Sequence, residues 1–282
     1  MSHTEFNEDI GTARGVMFDL DGTLILSDPD LGGYQVLPGA VETLETLRHK
    51  DIPFLALTNG SAYPAARQAP RLRALGLPIE DRNLFTPNSV AGHIFREDGI
   101  GRVLVLGTEG VAEALRAEGV SVALPGDRDT TACEAVYVAW HPDCTMEHIH
   151  AAADAVLNGA RFFTASDVPF FASRNGRSFG YSCAIAGAIA RGPGREPEVT
   201  GKPSLHAMAF VAAKLGLPAS EVIVVGDDPR VETEMARLGG AIGVGVTTGT
   251  TTLEGWRCVS PECRPHRVID GVAEILELGL LI

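Results

Sequence analysis

The chain predicts an α/β protein built on a parallel sheet that is covered by helices on both faces. Three observations carry this. Short, continuously apolar runs alternate with stretches of helical periodicity. The runs lack the polar–apolar alternation of a half-exposed sheet, which marks strands buried on both sides. A chain of 282 residues, 45% apolar and 21% charged, is long and apolar enough for one large domain or two modest ones without staples.

The elements follow in order. Residues 14–20 form the first apolar run, which ends in carboxylates. Pro38 stands where a helix begins, and Val41, Leu44 and Leu47 recur at helical spacing. Residues 52–57 are a second apolar run, leading into Thr58-Asn59-Gly60. Residues 65–75 read as a helix closed by Gly76. Arg102–Leu106 and residues 135–139 are two more strands, with a helix at 111–117 between them. A helix at 145–158, a strand around Phe162 and a helix at 183–191 come next. Residues 191–197, rich in Gly and Pro, read as a connector that sets the middle block apart. Beyond it the pattern resumes: helix 204–215, strand 222–225, helix 231–238, strand 241–246 and a last helix at 272–278.

Composition narrows the function. Acidic residues number 36 against 23 basic, a net charge of −13. A field of that sign disfavours nucleic acid and anionic membrane surfaces as partners. No run approaches the roughly 20 apolar residues that span a bilayer. Residues 1–11 are polar and acidic, carry no signal-peptide pattern, and read as a flexible lead-in. Five cysteines, odd in number and widely spaced, point to reduced thiols in a cytoplasm.

In open parallel sheets, ligands bind beyond the carboxyl ends of the strands. The first apolar run ends at Asp19 and Asp21, the second at Thr58 and Asn59, and the run at 222–225 at Gly226-Asp227-Asp228. Gly201-Lys202-Pro203 opens a helix. Two carboxylates at i and i+2 can divide one reaction. One attacks phosphorus, and the other protonates the leaving oxygen and then activates water. Gly22 permits the tight turn that follows. Carboxylates so close need a cation; magnesium takes oxygen ligands, Asp227 is a natural further ligand, and Asp228 or Glu232 can support it. Lys202 can act as a point charge on phosphate, and Thr58 with the amides after it can donate to a phosphoryl oxygen.

Asp19-x-Asp21-Gly22-Thr23, Thr58, Lys202 and Gly226-Asp227-Asp228, in this order, resemble the four motifs of the haloacid dehalogenase (HAD) superfamily. Leu37-Pro38-Gly39-Ala40, Thr58-Asn59-Gly60-Ser61 and Gly201-Lys202-Pro203-Ser204 resemble its subgroup with an α/β cap, which includes the NagD-type and the pyridoxal- or nitrophenyl-phosphatase-like enzymes. The resemblance implies a Rossmann-like core at 12–94 and 197–282, with a smaller α/β cap inserted at 95–196. It implies a magnesium-dependent phosphatase acting on a small phosphomonoester such as a sugar phosphate, a nucleotide or a pyridoxal-phosphate-like compound. Asp19 is then the nucleophile and Asp21 the acid/base. Thr58, Asn59, Gly60 and Lys202 hold phosphate, and Asp19, the Asp21 carbonyl and Asp227 hold Mg2+. The resemblance also allows a homodimer through the cap. A phosphotransferase with an acceptor other than water, or a non-catalytic phosphometabolite-binding protein, are the alternatives.

The chain departs from the subgroup in two places. Glu232 stands where an Asp is common, with Asp228 also available. The subgroup's Thr-Asn-x-Asp is Thr164-Ala165-Ser166-Asp167 here, so Asp167 keeps the substrate-binding position while the Asn is lost. The cap loop at 166–180, with Phe170, Phe171, Arg174 and Arg177, is open to two readings: recognition of a phosphorylated sugar or ring compound, or phenylalanines in the cap core with solvated arginines. Cys258, Cys263 and His266 have metal-ligand types but lack a fourth ligand and are left unassigned. His141 and His148 read as helix-boundary and surface residues.

Overall fold

The computed structural model describes residues 4–5, 11–28, 33–173 and 176–282. Among the described residues no helix is long and apolar enough to cross a membrane. The chain divides into two compact units. One comprises residues up to 58, 68–85 and 202–282; the other comprises 59–67 and 86–201.

The first unit is built on a seven-stranded sheet ordered Thr4–Glu5, Arg267–Ile269, Ile242–Val246, Val222–Gly226, Gly15–Phe18, Phe54–Leu57, Leu84–Phe85. All neighbours are parallel except the Thr4–Glu5 edge, which runs antiparallel to Arg267 and Val268. Of the residues 1–11 expected as a flexible lead-in, Thr4 and Glu5 form this edge, and 1–3 and 6–10 lie outside the described residues. In register, Val16, Met17 and Phe18 lie between Ile223, Val224, Val225 on one side and Phe54, Leu55, Ala56 on the other. The three strands are buried along their whole length, as their unbroken apolar runs require.

Helix ends follow local chemistry. The Leu205–Leu215 helix starts where the Ser204 hydroxyl accepts from the Ala207 N–H at 3.0 Å, and stops at Gly216 in the left-handed region. The Ala40–His49 helix begins after Gly39, at φ 79°, where a Cβ would come within 2.6 Å of Ala273. The last expected helix is instead a 3-10 turn, Val272–Leu276, held between Gly271 and Gly279; the segment is too short to pay the entropy of an α-helical nucleus. The helix expected at 231–238 starts later, as Glu234–Gly239, after a π-type turn over Pro229–Thr233.

The second unit carries a five-stranded parallel sheet ordered Glu198–Val199, Arg161–Thr164, Ala135–Val138, Arg102–Leu106, Ser121–Ala123. The Met146–Leu157 and Tyr181–Ala190 helices bury Ala152, Ala155, Val156, Ile185 and Ile189 against it. The expected division at 94/95 falls inside a helix, Pro87–Glu97, that belongs wholly to this unit. Pro87 occupies its first turn after the Thr86 cap, and Phe95 packs edge-on against Tyr137 and Phe163, with centroids 6.0 and 5.1 Å away. The expected loop at 166–180 is largely a hairpin, Phe170–Ser173 with Gly176–Phe179. Phe170 faces Phe179 across it with ring centroids 5.7 Å apart, the cross-strand aromatic pair that stabilises such a turn-back. Arg174 lies outside the described residues, as do the side chains of Phe171 and Arg177.

Candidate active site

Four strand ends of the first unit come to one edge of its sheet. Gly15–Phe18 delivers Asp19, Phe54–Leu57 delivers Thr58, Val222–Gly226 delivers Asp227, and Ile242–Val246 delivers the Thr247–Thr250 loop. The order follows from the parallel register, because these four strands point their carboxyl ends the same way.

At the centre is a buried ion cluster. Asp19 is 7% exposed, Asp227 5%, Glu232 2% and Lys202 0%. The Lys202 ammonium donates to Asp19 Oδ1 and, at 2.8 Å, to Glu232 Oε1. Burial alone would lower the proton affinity of Lys202; the Asp19 and Glu232 carboxylates more than offset it and hold the group above the ordinary lysine value. Burial raises the Glu232 carboxyl, Lys202 opposes that rise, and the nearby Asp19 and Asp227 add to it, so it stands above the usual glutamate range.

Asp227 is held from two sides. Its Oδ2 accepts from the Thr250 N–H at 2.6 Å, and its carbonyl accepts from the Thr250 hydroxyl at 3.1 Å. A Cβ on Gly22 would fall 2.4 Å from Asp227 Oδ2, and one on Gly249 2.0 Å from the same atom. Only glycine lets both loops close on this carboxylate, and Gly22 at φ 82° needs glycine for its backbone as well. Burial, then the Asp19 carboxylate, push Asp227 up to about 6, although the Thr250 donors work against them.

The two acids left open by the sequence are separated by the structure. The Asp228 side chain accepts from the Arg230 N–H at 2.9 Å, capping the π-type turn. Glu232 turns inward: Oε1 meets Lys202, and Oε2 accepts from the Asp228 N–H at 3.2 Å. A Cβ on Gly226 would sit 2.1 Å from Glu232 Cγ, so the glycine of Gly226-Asp227-Asp228 makes room for this inward path.

The remaining expected residues sit as follows. Thr58 is buried at its strand end, its N–H donating to the Phe85 carbonyl at 3.1 Å. Asp21 is exposed, two residues beyond Asp19. Asn59, Gly60 and Asp167 belong to the second unit; Asp167 is exposed ahead of the hairpin. Asn59 lies against Gly201, where a Cβ would be 2.7 Å from its Oδ1 and 2.3 Å from the Ala165 carbonyl. Cys258 is exposed, His266 Nδ1 accepts from the Gly243 N–H at 2.9 Å, and Cys263 Sγ donates to Glu234 Oε2 at 3.4 Å, so these three have separate surroundings.

Sequence reasoning missed the Thr247–Thr250 loop. The signal was present: it follows the buried strand Ile242–Val246, and the rule about strand ends applies to it as to the others. Besides gripping Asp227, this loop ties down the Gly22 turn, since the Thr248 hydroxyl donates to the Gly22 carbonyl at 2.6 Å.

The charges define what the cluster can hold. When ionised, the three buried carboxylates Asp19, Asp227 and Glu232 exceed the one buried ammonium, Lys202, by two negative charges. A divalent cation that prefers oxygen donors matches both the excess and the donor set, so the residues fit magnesium.

Comparison with known proteins identifies the family. Residues 16–121 match the family model described as haloacid dehalogenase-like hydrolase, and residues 199–275 match a second, HAD-hydrolase-like model. The chain belongs to the haloacid dehalogenase-like hydrolases. Within them it is similar to the 5'-nucleotidase YutF of Bacillus subtilis, 26% identical over 93% of this chain and 97% of that protein. It is similar to the ribonucleotide monophosphatase NagD of Escherichia coli, 25% identical over 94% and 98%. Among solved structures, the p-nitrophenyl phosphatase of Archaeoglobus fulgidus superposes with a TM-score of 0.83, at 27% identity, covering 94% of this chain and 99% of that one. The NagD-type and nitrophenyl-phosphatase-like subgroup expected from the sequence is therefore where the relatives lie.

Proposed function

We propose that this protein hydrolyses a small phosphomonoester with the help of magnesium, through an aspartyl-phosphate on Asp19. The observation that carries the reading is the buried cluster in which Lys202 joins Asp19 to Glu232 while Asp227 is clamped beside Gly22 and Gly249.

An Asp19 carboxylate oxygen attacks phosphorus, and the bond from phosphorus to the ester oxygen breaks. Asp21 gives that oxygen its proton, so the alcohol leaves neutral. Asp21, now a carboxylate, takes a proton from water; the water oxygen attacks phosphorus and releases inorganic phosphate, regenerating Asp19. The exposure of Asp21 suits a group that must meet both leaving group and water. Lys202 fixes Asp19 and offsets charge gathering on the phosphoryl oxygens; Thr58, with the amides of Asn59 and Gly60, donates to the same oxygens. Glu232 keeps Lys202 in place, and we assign the supporting acid to it rather than to Asp228, which caps a turn. Asp19, the Asp21 carbonyl and Asp227 are the residues that would hold Mg2+, which when bound neutralises the carboxylates and the incoming phosphate.

The second unit is assigned the role of cap, with substrate choice resting on Asp167 and the aromatic hairpin after it. The names of the relatives, a 5'-nucleotidase and a ribonucleotide monophosphatase, support nucleotides as the first substrates to try, with sugar phosphates and pyridoxal phosphate beside them. All five cysteines are free, which suits a reducing compartment such as the cytoplasm. A homodimer through the cap belongs to the same reading and would appear in solution as twice the chain mass.

The test is turnover of p-nitrophenyl phosphate with and without magnesium, for the natural protein and for Asp19→Asn. The expected result is magnesium-dependent release of nitrophenol that the substitution abolishes. Turnover that persists in Asp19→Asn at the same rate would refute the nucleophile.

A further inference from the structure

The second unit holds a group of metal-ligating side chains far in chemistry from the carboxylate cluster. His141, Cys144 and His148 are each half-buried, and one ligand atom from each lies within 4.8 Å of the others. His141 Nε2 and His148 Nδ1 are 3.0 Å apart, with the rings stacked at 5.1 Å between centroids and 8° between planes. The local fold explains the gathering. Thr145 is the N-cap of the Met146–Leu157 helix, so His148 sits in its first turn, and a helical side chain leans back toward the N-terminus. The spacing His-x2-Cys-x3-His thus brings the preceding turn and the first helical turn together at three donors.

We propose that His141, Cys144 and His148 bind one Zn2+, with water as the fourth ligand. Zinc takes tetrahedral nitrogen and sulfur ligands with bonds of about 2.0–2.3 Å, which places two imidazole nitrogens roughly 3.3 Å apart. The 3.0 Å separation is close to that edge. On binding, the Cys144 thiol proton leaves to solvent. The proton shared between the two imidazoles moves to the other nitrogen of its own ring, and no electron is transferred. The Thr145 N–H contact to His148 Nδ1, at 3.4 Å, is long and gives way to the metal. Ligand softness separates this site from the first unit: two nitrogens and a sulfur select zinc, while the all-oxygen cluster selects magnesium. The site joins the turn to the helix within the second unit, so its role is to stabilise that unit.

The competing explanation is a helix cap alone, since Thr145 and His148 exchange reciprocal bonds. Cobalt distinguishes them. The full-length protein, reduced and stripped with chelator, is titrated with Co2+ in excess Mg2+, which keeps the carboxylate cluster filled. The expected result is one Co2+ per chain, with a thiolate-to-cobalt absorption band and tetrahedral visible bands, displaced by one equivalent of Zn2+. Cys144→Ser should abolish the thiolate band and weaken Zn2+ binding by at least about 100-fold. His141→Ala should weaken binding similarly, and Cys258→Ser should change neither. Absence of a thiolate band in the natural protein, a band that survives Cys144→Ser, or one lost in Cys258→Ser would each overturn the assignment. Cys144→Ser leaves the Thr145 cap intact; if His141→Ala fails to fold, the spectrum of Cys144→Ser decides.

Discussion

Lys202 Nζ lies 2.8 Å from Glu232 Oε1, with both side chains almost wholly buried. The pair joins the turn before the Leu205–Leu215 helix to the turn after the Val222–Gly226 strand, and the same ammonium also holds Asp19. Removing one member of such a pair strands the other charge in the interior, whereas a neutral partner of the same shape does less harm.

Glu232→Ala is therefore expected to cost about 3–5 kcal/mol of stability and to reduce kcat, because Lys202 loses its anchor. Asp228→Ala should cost about 1 kcal/mol, the usual loss of a cap, and leave turnover near that of the natural protein. Urea unfolding and initial rates with p-nitrophenyl phosphate, measured on both variants, check the contrast. Equal losses in the two would contradict the assignment of Glu232.

Asp227 makes the metal-free protein sensitive to pH. Its carboxyl stands at about 6 in the fold against the ordinary aspartate value of 3.8, so between these values the folded state binds more protons than the unfolded one. Stability is then full below about pH 4 and falls as pH rises through about 6, by about 2–3 kcal/mol for this group. In chelator, unfolding midpoints should fall across that window; Asp227→Asn should flatten the slope, and saturating magnesium should remove it. A slope identical in Asp227→Asn would assign the effect to another group.

Gly249→Ala is expected to be far more damaging than its small volume implies. Its Cβ would lie 2.0 Å from Asp227 Oδ2, so either the loop or the carboxylate must move. Overpacking of this kind costs about 1–3 kcal/mol and should reduce turnover at least tenfold, with a higher magnesium requirement. Gly76→Ala is the control: its φ is 92° but nothing lies within 4 Å of the added carbon, so about 1 kcal/mol of stability and no activity should be lost.

Tyr137→Phe tests the second unit by itself. The Tyr137 hydroxyl donates to Asn88 Oδ1 at 2.9 Å, and the Asn88 amide donates to the Ser61 carbonyl at 2.8 Å, all in a buried setting. Losing the hydroxyl leaves Asn88 Oδ1 short of that donor and should cost about 1–3 kcal/mol. Thermal unfolding followed by circular dichroism would register it as a lower midpoint, with Asn88→Ala at least as severe.

Much of the fold was legible because strand burial writes itself into composition. Gly15–Phe18, Phe54–Leu57, Arg102–Leu106, Ala135–Val138 and Ile242–Val246 all lie within apolar runs read from the chain. The Pro87–Glu97 helix went unread although its signals were present: Pro87 follows the Thr86 cap, and Val90, Ala91, Ile94 and Phe95 recur at helical spacing. The Phe170–Ser173 and Gly176–Phe179 pair was read as a loop because Gly176-Arg177-Ser178 makes no apolar run and the pairing is antiparallel, apart from the main sheets.

For the site, the sequence by itself determined which groups stand at strand ends: Asp19, Asp21, Thr58 and Asp227 follow from the position of apolar runs and the direction of a parallel sheet, while Lys202 was read at the opening of a helix. It left Asp228 and Glu232 equivalent, since both are acids within one turn. The tertiary structure separated them, because the direction of a side chain depends on backbone geometry and on the space beside it. The π-type turn and the missing Cβ of Gly226 aim Glu232 inward at Lys202, while Asp228 bends back to cap its own turn. Only the fold, likewise, brought the Thr247–Thr250 loop onto Asp227 and stacked His141 on His148, because those contacts depend on packing rather than on any one local run.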